Sequence, residues 1–374
     1  MVEFGLGGYQ LGWKDKLFRM SFTYMFLIVI LAAIGTMTLY SAANGDWQPW
    51  AIHHIVRFVV AFGLMIGMAL VDAKYYYKSA YAFYFATFLL LVAVELTGHI
   101  GMGAQRWINF GVFKLQPSEL MKIGIVLFLA RYFSATTVQG IKSIRGIIIP
   151  AIFTFAPVAL IAAEPDLGTA LMVLCTASVM LFAVGVQWWK FLAAAASVGA
   201  ILPIIWNYLH EYQRNRVLTF LDPERDPLGT GYHIIQSKIA FGSGGIMGKG
   251  FLHGTQTHLN FLPEKHTDFI FTMFSEEFGL LGSVSLIFIN LLILAIGYAF
   301  AFRSRNYFAR LTMIGLNTNY FLYVFINIAM VMGVLPVVGV PLPLISYGGT
   351  VMFSIMASFG IILCMSVSYD NQTD

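Results

Sequence analysis

Long apolar runs separated by short polar segments dominate the chain. Ten runs are long enough and poor enough in charge to be predicted as membrane-spanning helices: 21–42, 51–71, 77–97, 118–134, 145–163, 168–186, 190–208, 269–301, 308–332 and 347–369. An α-helix needs about 17 to 25 such residues to cross roughly 30 Å of hydrocarbon. A transmembrane β-barrel would instead show alternating segments of about ten residues. The pattern predicts an all-α, polytopic membrane protein with ten transmembrane helices.

Composition supports this class. Of 374 residues, 59% are hydrophobic, the mean hydropathy is +0.77, and only 11% are charged, against roughly 25% in a soluble domain. Cys175 and Cys364 both lie in apolar runs, which excludes a disulfide framework and a thiolate metal site. Residues 1–20 carry several charges and no cleavage site typical of a signal peptide. We expect one membrane domain over 1–374, with 1–20 as an N-terminal segment.

The distribution of basic residues predicts the orientation. An even number of spans puts both termini on one side, and Lys and Arg accumulate in cytoplasmic loops. One set of loops and span ends carries twelve such residues, against Arg106 and Lys114 in the opposite short loops; the twelve are Lys14, Lys16, Arg19, Lys74, Lys78, Arg131, Lys142, Arg145, Lys190, Arg303, Arg305 and Arg310. Both termini are therefore predicted to be cytoplasmic.

The segment 209–268 is a large predicted extracytoplasmic loop between helices 7 and 8. It contains twelve of the forty charged residues and five of the eight histidines, and loops of this size are usually functional. Its part 232–240 is interpreted as an amphipathic segment on the membrane surface. Glycines crowd the part 242–254, which suits flexible turns or a backbone cradle for an anion, although no nucleotide-binding motif is present.

The eighth span is unusually long. Its 33 residues would extend for about 50 Å, beyond the hydrocarbon thickness. We expect it to tilt, to break near Gly279 or Gly282, or to project from the bilayer.

Ionisable residues in or beside the spans are candidate functional groups, because an unpaired charge in the bilayer is costly. Arg57 in the second span is expected to snorkel or to pair with an acid such as Glu95. Glu119 and Lys122 share one helix face, so either they form a structural ion pair or Lys122 projects its ammonium into a cavity that receives an anionic head group. Both alternatives stay open.

Two further acidic groups border the external side. Glu164 and Asp166 flank a turn, where Asp166 suits the N-cap of the sixth span but capping explains only one carboxylate. Asp268 follows His266 where the long loop enters the eighth span, and there too a cap is an alternative for Thr267 or Asp268. Arg106, Arg214, Arg216 and Lys265 lie on the same side.

A carboxylate near apolar helices, facing Arg and Lys, indicates a general base with a cationic clamp for a phosphate-containing leaving group. This describes group transfer from a lipid-linked phosphate. A transporter with an anion-binding cavity fits the same charges. A zinc site made of His253, His258, His266 and Asp268 is a further alternative, although its spacing matches no known ligand motif.

Several strings are more specific: 103–108 (GAQRWI), 116–122 (QPSELMK), 164–169 (EPDLGT), 221–233 (LDPERDPLGTGYH), 248–256 (GKGFLHGTQ), 261–271 (FLPEKHTDFIF) and 335–349 (LPVVGVPLPLISYGG). In this order, over about 18–370, they resemble the SEDS family (shape, elongation, division and sporulation). The residues of these strings are more similar to the elongation branch of the family than to the division branch.

The resemblance implies a peptidoglycan glycosyltransferase of the bacterial cytoplasmic membrane that polymerises lipid II on the outer face during cell elongation. It implies that Asp268 is the essential acidic residue, that Arg106, Lys122 and Arg216 line the same cavity, and that Asp166 and Glu119 are further sensitive positions. Arg214, His266 and Lys265, which border the same external side, complete the expected substrate-binding set. The resemblance also implies a class B penicillin-binding protein (a transpeptidase) and the Mre elongation machinery as partners, contact with membrane lipids, and no nucleic acid. A divalent cation, Mg or Mn, is associated with the family, although this sequence shows no metal motif.

Two alternatives remain at this stage. A lipid II flippase needs a cavity for the same head group, but it should place polar groups across the whole bilayer, whereas here they cluster on the external side. A non-catalytic membrane scaffold for the transpeptidase would not need Asp268.

Overall fold

The computed structural model of the protein describes residues 12–97, 99–101, 104–109, 114–137, 140–141, 143–164, 166–208, 211–226, 229–255 and 265–369. Within these ranges the chain forms a helical bundle and one small sheet. The helices are α1 (Trp13–Arg19), α2 (Phe22–Ala42), α3 (Ala51–Leu70), α4 (Ala73–Thr97), α5 (Pro117–Ser134), α6 (Ile144–Ala163), α7 (Leu167–Val184), α8 (Trp188–Tyr208), α9 (Glu211–Leu221), α10 (Thr230–Ser243), α11 (Ile270–Arg303), α12 (Tyr307–Val331) and α13 (Gly349–Tyr369).

The helices α2 to α8 and α11 to α13 coincide with the ten predicted spans. Among the described residues, eight helices are long and apolar enough to cross a membrane. The two others are α5, which carries Glu119, Lys122 and Arg131, and α8, which contains the apolar stretch Trp188–Ile201. The helical membrane fold is confirmed, and the count of ten crossings stays a prediction.

Three helices form the centre of the bundle. In α12 and α13, 78% and 83% of the most apolar stretch is buried inside the protein, against 22% in α3. In α5 every residue from 121 to 130 is buried, because α5 packs against α4, α7 and α12. Helix α13 packs on α3. The outer helices turn apolar side chains to the surroundings, so polar side chains that need protein partners fall on the central three.

A small antiparallel sheet precedes α5, in a segment that was expected to be a loop. Its strands are β1 (His99–Gly101), β2 (Ala104–Asn109) and β3 (Lys114–Leu115), in the order β1-β2-β3. Ile108 pairs with Leu115, two residues before α5 begins at Pro117. The sheet places β2, and therefore Arg106, beside the start of α5.

The described parts of the long loop are structured. Helix α9 and the 3₁₀ turn Pro223–Arg225 lead to α10, which contains the predicted amphipathic segment. The buried side of α10 includes Ser237, whose hydroxyl hydrogen-bonds with Thr272 Oγ1 at 2.7 Å and donates to the Val331 carbonyl at 3.0 Å. Helix α10 therefore packs against α11 and the end of α12.

The long eighth span breaks at Gly279, which is one of the three outcomes expected from its length. Helix α11 runs from Ile270 to Arg303, but Gly279 has φ 65° and ψ −161°, which are not helical angles. The break releases backbone groups that a continuous helix would pair.

The glycine-rich segment 244–250 supplies the missing partners. The amides of Lys249 and Gly250 donate to the carbonyls of Glu276 and Glu277, each at 3.0 Å. On the other side of the break, the amides of Leu280 and Leu281 donate to the carbonyls of Gly245 and Ile246 at 2.9 and 3.1 Å. This segment, which we call the brace, therefore pairs with the backbone of α11 on both sides of the break.

Candidate active site

Asp268 lies in the turn directly before α11 and is half-buried. The N-cap of α11 is Phe269, without a side-chain cap, so the capping alternative for Thr267 or Asp268 is wrong. The backbone of this turn is held at three consecutive carbonyls. His266 accepts from the Tyr347 amide at 2.9 Å, Thr267 from the Ser346 hydroxyl at 2.7 Å, and Asp268 from Asn327 Nδ2 at 2.9 Å.

The segment 335–348, between α12 and α13, faces this turn. A Cβ atom on Gly339 would lie 3.6 Å from Asp268 Oδ2, and Gly339 has φ 75°. The missing side chain leaves space beside the carboxylate. Asn327 fixes the same segment, because its Nδ2 also donates to the Val340 carbonyl at 2.7 Å.

His266 and Lys265 lie beside Asp268 in the same turn. The imidazole of His266 stacks on Trp50, with ring centroids 4.5 Å apart and an angle of 6° between the planes. Lys265 is 5% exposed, and burial lowers its pKa. Both predicted residues therefore lie next to the predicted catalytic acid.

Glu119 and Lys122 form the ion pair that was one of the two alternatives. Lys122 Nζ lies 2.7 Å from Glu119 Oε1, and the two residues are 1% and 4% exposed. Tyr323 hydrogen-bonds with both, and Ser354 donates to Glu119 Oε2 at 2.8 Å. The ammonium is enclosed by these partners, so Lys122 does not project into an open cavity in this structure, and its contact with substrate stays a prediction.

Asp166 caps α7, as the sequence suggested. Its carboxylate accepts from the Thr169 amide at 3.2 Å and from Gln116 Nε2 at 3.3 Å. Gln116 is the N-cap residue of α5, so this contact ties the start of α7 to the start of α5.

Glu164 differs from Asp166, because it is 2% exposed and neither carboxylate oxygen has a hydrogen-bond partner in the described part of the chain. Burial raises its pKa to about 8, with further increases from Asp166 and Glu95 and a decrease from Arg106. Arg106 is half-buried, and its Nε donates to the Glu164 carbonyl at 3.1 Å.

Helix α12 joins these groups. Tyr323, which binds Glu119 and Lys122, and Asn327, which binds the Asp268 carbonyl, are four residues apart and share one face. At the start of α7, a Cβ atom on Gly168 would lie 3.1 Å from Val338 Cβ. The predicted residues at the starts of α5, α7 and α11 thus surround α12 and the segment 335–348.

The two arginines of α9 have different environments. Arg214 Nε donates to the Trp206 carbonyl at 2.8 Å, and its Nη2 to the Asn207 carbonyl at 2.6 Å. These bonds satisfy carbonyls at the end of α8, so much of the guanidinium serves the fold. Arg216 is half-buried. Substrate contact by either arginine stays a prediction.

Comparisons with known proteins agree with this arrangement. The FtsW/RodA/SpoVE family model, described as "Cell cycle protein", matches residues 15–371. "Peptidoglycan glycosyltransferase MrdB" of Escherichia coli K12 is 43% identical over 342 residues, which are 91% of this chain and 92% of that protein. The chain belongs to the FtsW/RodA/SpoVE family.

Solved structures of similar proteins support the assignment. One chain comes from a structure described as "Structural coordination of polymerization and crosslinking by a peptidoglycan synthase complex", with a TM-score of 0.80, 32% identity, and 95% of this chain and 99% of that chain covered. The crystal structure of Thermus thermophilus RodA gives a TM-score of 0.69 and 26% identity, with the same coverage. This FtsW/RodA/SpoVE protein is a peptidoglycan glycosyltransferase, so the resemblance is confirmed and the transporter and scaffold alternatives are set aside.

Neutral polar residues of this FtsW/RodA/SpoVE protein were missed by the sequence reasoning. Asn327 and Tyr323 hold the candidate site together, but a search for charges in spans passes over them. An amide inside an apolar span is itself a signal, because a buried amide needs partners. Asn327 is 0% exposed.

The divalent cation implied by the resemblance was tested against the residues. Among the described residues, no three His, Cys, Asp or Glu side chains come together as a metal site. The divalent cation stays an expectation of the resemblance. His258, one ligand of the zinc alternative, lies outside the described residues.

Proposed function

We propose that this glycosyltransferase polymerises lipid II into glycan strands during cell elongation, with Asp268 as general base. The Asp268 carboxylate accepts the proton of the acceptor sugar's 4-hydroxyl group. The hydroxyl oxygen then bonds to the anomeric carbon of the donor, and the bond from that carbon to undecaprenyl diphosphate breaks. The diphosphate leaves with the electron pair. A single displacement of this kind inverts the anomeric centre without a covalent enzyme intermediate.

The anchoring of the Asp268 turn is the observation that carries this proposal. Three consecutive backbone carbonyls are hydrogen-bonded to Tyr347, Ser346 and Asn327, and Gly339 lies beside the carboxylate, where an added Cβ atom would be 3.6 Å from Oδ2. A base must be held within hydrogen-bonding reach of the proton that it removes. Binding the backbone on three carbonyls fixes the position of the residue.

We propose that Arg106 and Arg216 stabilise the diphosphate as charge develops on it, since guanidinium groups bind phosphate bidentately. Both are half-buried. Lys122 contributes its positive charge from the protein interior, where Glu119 and Tyr323 bind its ammonium group. Asp166 and Glu119 are assigned to holding the starts of α7 and α5, while Arg214, Lys265 and His266 border the substrate.

The partner proposal rests on a structural neighbour that belongs to a peptidoglycan synthase complex coordinating polymerization and crosslinking. We propose a class B penicillin-binding protein as the crosslinking partner, within the Mre elongation machinery. The proposed location is the bacterial inner membrane, with cytoplasmic termini and an extracytoplasmic active site, on the basis of the Lys and Arg distribution.

The first prediction tests the base. Asp268→Asn keeps the size of the side chain but removes its ability to accept a proton, so we expect loss of glycan polymerisation with normal membrane insertion. Purified protein is incubated with lipid II in detergent, with and without the cognate transpeptidase, and the products are separated on a gel.

Asp222→Asn is the matched control, because Asp222 is an exposed acid in the same long loop; it should polymerise like the wild type. Long glycan from Asp268→Asn would rule out the assignment of Asp268 as base. Passage of lipid II across proteoliposome membranes, with no glycan under any condition, would favour the flippase instead.

A further inference from the structure

Arg57 places a positive charge inside an apolar helix. It lies in α3, in the stretch Ala51–Leu70 that is long and apolar enough to cross a membrane, and it is half-buried. Its Nη2 donates to the Tyr347 hydroxyl at 3.0 Å, and its Cζ lies 4.3 Å from the centroid of the Tyr347 ring. Tyr347 thus accepts a hydrogen bond from the guanidinium and also places its ring against it.

No carboxylate neutralises this charge among the described residues. The ion pairs found there join Lys16 and Lys74 to Asp72, Lys122 to Glu119, and Lys249 to Glu276. Glu95, the partner expected from sequence, is exposed and does not pair with Arg57. A tyrosine ring attracts a cation but carries no net negative charge. A guanidinium in a membrane span without a counter-ion marks a position where an anion is stabilised.

The start of α13 lies against the guanidinium. A Cβ atom on Gly349 would lie 3.7 Å from Arg57 Cδ, Nε and Cζ, so no side chain of that residue separates the guanidinium from the first turn of α13. The amides of a first helical turn add to the positive potential of the guanidinium. A guanidinium has five N–H donors, and its forked geometry matches phosphate oxygens.

Arg57 is also connected to the candidate active site. Its partner Tyr347 donates its backbone amide to the His266 carbonyl, two residues before Asp268. Arg106 is linked indirectly to the same segment 335–348: it binds the turn at Glu164, and Gly168, after that turn, packs against Val338. The segment that faces the Asp268 turn therefore contacts Arg57 through Tyr347 and, near its other end, the helix that follows the turn bound by Arg106.

We propose that Arg57, held by Tyr347, binds the diphosphate of the acceptor, the lipid-linked molecule that keeps its diphosphate during transfer. This inference rests on the proposed function, in which Arg106 lies on the side of the donor diphosphate. Joining two lipid-linked saccharides requires two membrane-anchored diphosphates to lie near one base, so two separate cationic positions are expected.

The test counts bound diphosphates. Native mass spectrometry of the full chain in detergent, with undecaprenyl diphosphate as the probe, should show two bound molecules per chain for the wild type. Arg57→Met, which removes the charge and keeps the length, and Arg106→Met should each bind one, with the affinity of the lost site reduced roughly tenfold or more. Arg57→Lys keeps the charge and supports folding. The affinity of its Arg57 site for the probe should be lower than in the wild type, but by a smaller factor than in Arg57→Met.

Arg131→Met is the matched control. Arg131 also stacks on tyrosines, with its Cζ 4.9 and 4.2 Å from the rings of Tyr77 and Tyr81, but it belongs to the predicted cytoplasmic side. It should bind two probe molecules. Two molecules bound equally well by Arg57→Met or Arg57→Lys would overturn the proposal.

Phosphatidylglycerol shares the phosphate chemistry and serves as competitor. If it displaces the Arg57-dependent molecule at equal concentration, the site holds an ordinary bilayer lipid and the acceptor assignment is wrong. The Asp268→Asn chain separates this inference from the proposed function. Polymerisation by the Asp268→Asn chain would contradict the role of Asp268 as base and would leave the number of bound diphosphates unchanged. Loss of one bound diphosphate in Arg57→Met, together with an inactive Asp268→Asn chain, would support both proposals.

Discussion

At the scale of single residues, the structure fixes the backbone around Asp268. Three carbonyls in a row are bound from one segment and one helix, and the residue that joins the segment to the helix is the neutral amide of Asn327. The acid was identifiable from sequence because a carboxylate beside a span is conspicuous. Its support was not, because hydrogen-bond partners distant in sequence become neighbours only in the folded chain.

Asn327→Leu should lower the rate of polymerisation through Asp268. The change removes both donated hydrogen bonds and leaves the Asp268 and Val340 carbonyls buried without their partner, so the turn loses its fixed position. We expect kcat to fall roughly tenfold and KM for lipid II to change much less. Initial rates over a range of lipid II concentrations measure both.

Thr318→Val is the control on the same helix, since the Thr318 hydroxyl bonds within α12 and with Tyr298; it should keep kcat. An equal fall in kcat for both variants would show that loss of any polar side chain in α12 lowers kcat. That result would contradict a specific role for Asn327.

Glu164 should make stability depend on pH. Its pKa is raised from 4.5 to about 8, chiefly by burial, so the fold favours the protonated carboxyl group. This contribution to stability is complete below pH 4.5, decreases as pH rises, and is lost once pH passes about 8. Glu164→Gln imitates the neutral form, so its Tm should exceed that of the wild type at pH 8.5 and match it near pH 4.5.

Thermal unfolding in detergent at several pH values gives this comparison. Glu224→Gln changes an exposed acid and should show no pH-dependent difference. A constant difference between Glu164→Gln and the wild type across the range would mean that Glu164 does not titrate as described.

At the scale of elements, the broken helix α11 and the brace form one unit. A helix interrupted in a membrane must have its released backbone groups satisfied by protein, and the brace satisfies groups on both sides of Gly279. A side-chain bond adds to this, because Lys249 Nζ lies 2.7 Å from Glu276 Oε1, which is fully buried. The break follows from the length of the span, but the identity of its partner depended on the fold.

Gly248→Ala should weaken this unit. Gly248 has φ 80°, and a Cβ atom there would lie 2.1 Å from the Glu277 carbonyl oxygen. The strained angle and the forced separation should together lower the free energy of unfolding by about 2 kcal/mol or more, seen as a lower Tm in detergent.

Gly242→Ala is the matched control from the neighbouring helix, where an added Cβ meets no atom within 4 Å. It should keep or slightly raise the Tm, because alanine favours a helix. Equal Tm values for Gly248→Ala and the wild type would show that the brace tolerates a side chain and is not closely packed.

At the scale of the whole molecule, the central helices α5, α12 and α13 carry the buried polar network of Glu119, Lys122, Tyr323 and Ser354, and outer helices separate this network from the surroundings. The orientation of this bundle is a prediction from the Lys and Arg distribution. In a chain with Cys175→Ala and Cys364→Ala, Glu224→Cys should react with a membrane-impermeant maleimide. The cells have their outer barriers removed and their cytoplasmic membrane intact. Arg305→Cys should react only after permeabilisation, since both positions are exposed but lie on opposite predicted sides. The reverse pattern would contradict the predicted orientation.

The sequence by itself determined the helical membrane class, the positions of the ten long helices and the family. Span length and residue periodicity are local properties of the chain. The family is recognised from strings such as that at 261–271 and from their order along the chain. Only the tertiary structure decided that Lys122 is enclosed by Glu119 and Tyr323, that Arg214 caps α8, and that the glycine run braces α11. It also showed that Arg57 meets Tyr347 rather than Glu95. Each of these outcomes depends on which side chains from distant parts of the chain come within hydrogen-bonding distance, and residue spacing carries no information about that.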